Sequence, residues 1–69
     1  MNTKIEKGDR FADRDPRNRG RVVEVIQEEV DWGVVRVKTE VHPNNPSAVG
    51  RRIRMKSTTL LERFDRISR

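Results

Sequence analysis

The sequence predicts an all-β fold of five short strands, with a single helical turn before the last. Three observations carry this expectation. Apolar residues gather in short β-branched runs. Glycine and proline turn signals separate those runs. Residues 33–41 and 50–56 alternate apolar with charged side chains at period two, as a half-buried strand does. The chain has 69 residues, of which 39% are charged and 32% hydrophobic. That composition lies near the disordered boundary, but the periodicity argues for an ordered core.

The first strand is expected within residues 7–13, after a turn at Gly8, with Phe11 as its apolar anchor. Residues 13–20 contain Asp15-Pro16 and end in Gly20, which marks an ordered turn. Residues 21–27 form the second strand, with Val23 and Val25 on one face and Val22, Glu24 and Ile26 on the other. An acidic hairpin connection runs from Glu28 to Gly33. The third strand, residues 33–41, should point Val35, Val37, Thr39 and Val41 inward, and Val34, Arg36, Lys38 and Glu40 outward. Residues 42–47 cannot continue a ladder, because Pro43 and Pro46 lack the donor N–H. The fourth strand, residues 50–56, should turn Ile53 and Met55 inward and Arg52, Arg54 and Lys56 outward. Residues 57–62 fit one helical turn, with Thr59 and Glu62 at capping-box spacing. A last short strand over residues 63–67 places Phe64 inward.

Five short strands with one turn of helix before the last make an SH3-like barrel. Closing the meander also hides an apolar face and two edges that so small an open sheet would expose. An OB-type barrel is the main competitor and needs longer strands. The residues Lys7-Gly8-Asp9-Arg10-Phe11 and Asn18-Arg19-Gly20-Arg21-Val22-Val23-Glu24-Val25 resemble the opening of KOW-like and other SH3-like modules. That resemblance implies binding to RNA, DNA or proteins of the transcription and translation machinery. Residues 11–17 and 45–52 carry a second resemblance, to short uncharacterised proteins of actinobacteria and their phages. That group brings no activity with it. The 12 Arg against 4 Lys fit a GC-rich genome.

Length and composition narrow the function. A domain this small buries only about 60% of the surface its unfolded chain exposes, so one domain over residues 1–69 is expected. Its ends, residues 1–4 and 67–69, are expected to fray. With no cysteine, disulfides, thiolate nucleophiles and Cys-based zinc sites are excluded. No apolar run approaches a membrane span or a signal-peptide core. A cytoplasmic protein with no membrane partner is the default expectation.

The net charge is +5. By residue count it divides into +2 over residues 1–20, −2 over 21–41 and +5 over 42–69. If the third and fourth strands pair, Arg36 and Lys38 share an outer face with Arg52, Arg54 and Lys56. Such a face tracks phosphates, because guanidinium forks meet phosphate oxygens bidentately. Arg17, Arg19 and Arg21 would assist, and Trp32 at a loop tip could stack a base. The plainer reading is a solvated polar face with Trp32 folded over the core.

Asp9, Asp13 and Asp15 have a loose metal-like spacing, but a calcium loop needs more oxygen ligands and a closing Glu. Ion pairing with Arg10, Arg14 and Arg17, and turn capping, explain them better. His42 has no carboxylate or Ser constellation around it. No catalytic, metal or cofactor site is assembled, so an enzyme is not expected. The leading function is a non-enzymatic nucleic-acid-binding module. The alternative is a protein-interaction module engaging a host protein. It would use Glu28, Glu29 and Asp31 toward a basic partner, an exposed strand edge, or the long loop with Asn44, Asn45 and Ser47. The oligomeric state is left open.

Overall fold

The structure is a computed structural model that describes residues 4–28 and 33–68. Five strands run as β1 (Arg10–Asp13), β2 (Val22–Gln27), β3 (Val34–Val41), β4 (Arg52–Lys56) and β5 (Phe64–Ser68). One helix, α1 (Ser57–Arg63), joins β4 to β5. All pairings are antiparallel, in the order β4-β3-β2-β1-β5. The expected strands and helical turn are all present, within one sheet. No helix among the described residues is long and apolar enough to cross a membrane.

The inward faces meet in a single core. Phe11, Val23, Val25, Val35, Val37 and Leu60 are fully buried or nearly so, and Ile5 and Phe64 close the cluster. Ile53 and Met55 of β4 pack against it only half-buried. The Cα radius of gyration is 11.2 Å. A compact chain of this length should measure about 11 Å and an unfolded one about 25 Å.

The structure corrects several expectations. Val41 does not turn inward and is 42% exposed. Val23 pairs with Thr39, but Val22 pairs with Val41, so Glu40 is an extra residue in β3. Such a bulge shifts the following side chain to the other face. Helix α1 begins at Ser57 as expected, but the capping box at Thr59 and Glu62 lies inside it and does not open it: Lys56 is the N-cap, with no side-chain cap. The Ser57 N–H donates instead to the Gly33 carbonyl at 2.6 Å. Strand β5 runs on through Ser68, and the Lys4 carbonyl accepts from Arg66 Nη2 at 2.6 Å.

The two connections at one end of the sheet contain 3-10 turns, at Pro16–Asn18 and Pro46–Ala48. They lean on one another. Asn44 Nδ2 donates to the Arg17 carbonyl at 2.9 Å. Gly20, at φ +88°, lies so close to Pro43 that a Cβ there would be 2.9 Å from Pro43 Cγ.

Candidate functional site

Strand register decides where the cations of β3 and β4 point. Arg36 stands opposite Arg54 and Lys38 opposite Arg52, while Val34 stands opposite Lys56. Residues in register share a face, so all five cations lie on the outer face of the sheet. Arg36, Arg52, Arg54 and Lys56 are exposed, and Lys38 is half-buried. Along β4 the cations repeat every second residue, about 6.8 Å apart. That repeat is close to the distance between successive phosphates of one nucleic-acid strand.

Among the described residues, counter-charge near this face is sparse. Glu24 of β2 is in register with Lys38 on one side and with Arg10 of β1 on the other. Glu40 contributes nothing to the five, because its Oε1 accepts from Arg10 Nε at 2.6 Å. The β2 neighbour of Arg36 is the neutral Gln27. None of the five cations forms an ion pair with a described residue. Among the described residues, Glu24 beside Lys38 is the one carboxylate in register with these two adjacent rungs of like charge, a destabilising arrangement in a bare sheet.

Other arginines are occupied. Arg21, expected to assist phosphate binding, is instead structural. Its side chain is 19% exposed and pairs with Asp13 at 3.2 Å. Its guanidinium lies 5.6 Å from the centre of the Phe64 ring. The Asp13 N–H donates to the Arg21 carbonyl, so the hairpin itself brings the two side chains together. Arg17 forks onto Asp15, with Nη2–Oδ2 at 2.9 Å and Nε–Oδ1 at 3.2 Å, yet stays exposed. This bond and the Arg17 N–H on Oδ1 hold the Asp15 carboxyl below its ordinary value. Arg19 is exposed in the same turn.

The aspartates have partly different partners from those expected. Asp15 pairs with Arg17 as expected. Asp9, fully buried, lies 3.2 Å from Arg66 and accepts the Glu6 N–H, and Asp13 takes Arg21. Arg10 pairs with Glu40, and Arg14 reaches Asp65 at 3.7 Å. These three carboxylates cap turns and bind guanidinium groups of the chain itself.

Among the residues of the protein-contact alternative, Glu28 is exposed, while Glu29 and Asp31 lie outside the described residues, as does Trp32. The polar side chains of the long loop are exposed but bond to the chain itself. Asn44 holds the Arg17 carbonyl, and Ser47 Oγ donates to Asn45 Oδ1 at 2.7 Å. Sequence reasoning did not single out a cavity of about 210 Å³ between the β4–α1 segment and the β1–β2 turn, with Ile53, Met55, Thr59 and Phe64 on one side and the polar Asp13, Asp15, Asn18 and Arg21 on the other. The half-burial of the two β4 side chains is its signature.

No protein-family model, curated protein or solved structure matches the chain.

Proposed function

We propose that the chain is a small SH3-like barrel that binds nucleic acid through its phosphate backbone. The single observation carrying this reading is the pair of like-charged rungs, Arg36–Arg54 and Lys38–Arg52, extended by Lys56. A polyanion relieves the repulsion that the bare sheet contains. Arginine on three of these positions suits phosphate, because each fork offers parallel donors and keeps its charge. Arg17 and Arg19 lie in the turn between β1 and β2 and extend the positive field weakly. The strand order and the helix before β5 support the SH3-like part of the reading. Backbone charge carries little base information, so binding is weakly sequence-specific.

Fluorescence anisotropy with labelled single- and double-stranded DNA and RNA, over a salt series, tests the reading. Five neutralised phosphates on duplex DNA give a log–log salt slope of about −4.5. Reversing Arg52 and Arg54 to Glu should abolish binding at physiological salt. Absence of binding even at low salt would overturn the proposal.

A further inference from the structure

Strand β4 ends the sheet order, so one side of it has no strand partner among the described residues. Which backbone groups face that open side follows from the ladder. The Ser57 N–H donates to the Gly33 carbonyl, and the Thr39 N–H donates to the Arg51 carbonyl. Hydrogen-bonded positions alternate along an antiparallel pair. Met55 and Ile53, opposite Val35 and Val37, therefore turn their N–H and C=O toward β3. Arg52 and Arg54 turn theirs toward the open edge.

An edge of this kind templates a further strand. Here it has two distinct faces. On the outer face an added strand would run beside Arg52, Arg54 and Lys56. On the inner face it would run beside Ile53 and Met55, which line the 210 Å³ cavity together with the β1–β2 turn. A second, open hollow of about 370 Å³ is lined by Val34 of β3 and by Arg54, Met55 and Lys56 at the end of β4. The charge on β4 disfavours a second copy of β4 as the added strand, because cations would again oppose cations.

We infer that the β4 edge accepts an extended peptide from a partner protein, with acidic and apolar residues in alternation. The acidic residues pair with Arg52, Arg54 and Lys56. The apolar residues fill the space beside Ile53 and Met55. Backbone hydrogen bonds to Arg52 and Arg54 supply the register. The inference goes beyond the phosphate reading and stands on the edge and the cavity, not on phosphate binding.

The register makes the test specific. In a peptide aligned antiparallel to β4, the acidic residues opposite Arg52 and Arg54 point their N–H groups at β4, and the apolar residues point theirs away. The probe is a fluorescein-labelled Glu-Val-Glu-Val-Glu-Val-Glu peptide, compared with three relatives of the same charge. One is the block sequence Glu-Glu-Glu-Glu-Val-Val-Val, one is N-methylated on the Glu at the third position, and one on the Val at the fourth. The alternating peptide should bind at least about tenfold tighter than the block and Glu-methylated forms. The Val-methylated form should stay within about threefold of the parent. Equal affinity of all four would reduce the interaction to plain charge attraction and overturn the inference. Absence of binding by the alternating peptide would overturn it as well. Because the variation lies in the peptide, the protein stays folded throughout, and either result is separate from the nucleic-acid titration.

Discussion

Arg36 of β3 faces Arg54 of β4 directly across the ladder, and neither forms an ion pair with a described residue. Like charges so placed cost stability, while opposite charges contribute about 0.2–1 kcal/mol per pair. Arg54→Glu is therefore expected to raise stability by about 0.5 kcal/mol in low-salt urea unfolding, the gain shrinking as salt rises. The same substitution should weaken duplex binding and flatten its salt slope by about 0.9 or more. A gain in stability bought by a loss of binding is the mark of a face kept for a ligand. Lower stability with unchanged affinity would remove that argument.

Arg66 ties the N-terminal segment to β5. Its Nη1 lies 3.2 Å from the fully buried Asp9, its Nη2 holds the Lys4 carbonyl, and its guanidinium lies 5.4 Å from the centre of the Phe11 ring. Arg66 is itself partly exposed, at 29% of its side chain, and Asp9 keeps the Glu6 N–H, so only part of the buried carboxylate's desolvation penalty is uncovered when Arg66 is removed. Arg66→Met should cost about 2 kcal/mol in urea unfolding. That is a large share of the roughly 3–10 kcal/mol expected for a chain of this length. Arg66→Lys should recover only part, since an ammonium lacks the fork that reaches two acceptors. A cost under about 1 kcal/mol would show that Arg66 does not anchor the segment.

The strands and the basic face were legible because both depend on period two. Alternation in β3 and β4 sorts Val35, Val37, Ile53 and Met55 from Arg36, Lys38, Arg52, Arg54 and Lys56 before any pairing is known. What escaped depends on contacts that pattern does not encode. The Glu40 bulge, which turns Val41 outward, leaves no mark in composition. The partners of Asp9 and Arg10 come from distant strands, so neighbours in sequence were the wrong choice. The Asp13–Arg21 pair was within reach, since the two residues flank one turn and a hairpin places them together.

Gly20 and Gly50 separate backbone strain from steric contact. Both have φ near +90°, at +88° and +89°. A Cβ on Gly50 would meet nothing within 4 Å, whereas one on Gly20 would meet Pro43 Cγ at 2.9 Å. Gly50→Ala should cost about 1 kcal/mol from the left-handed conformation alone. Gly20→Ala should cost roughly twice as much, and Pro43→Ala in that background should return part of the loss. Equal costs in thermal unfolding would mean that the two loops do not press together at this point.

Arg17, like Arg14 and Arg21, is a cation of the β1–β2 connection whose charge is already engaged. The Arg17 side chain, then its backbone N–H, hold the Asp15 carboxyl below its ordinary value of 3.8. A carboxyl lowered in this way stabilises the fold above its ordinary value, and that contribution is lost as pH falls below about 3.8 through the lowered value. An NMR titration should place the Asp15 midpoint below 3.8, and Arg17→Ala should move it back up only part of the way, because the backbone donor remains. The pairing also weakens Arg17 as a phosphate ligand. Arg17→Ala should therefore change duplex affinity less than Arg52→Ala does. Asp15→Asn, which releases the guanidinium, should strengthen binding and steepen the salt slope by up to about 0.9. An unchanged slope for Asp15→Asn would place Arg17 outside the phosphate path and confine the interface to the sheet face.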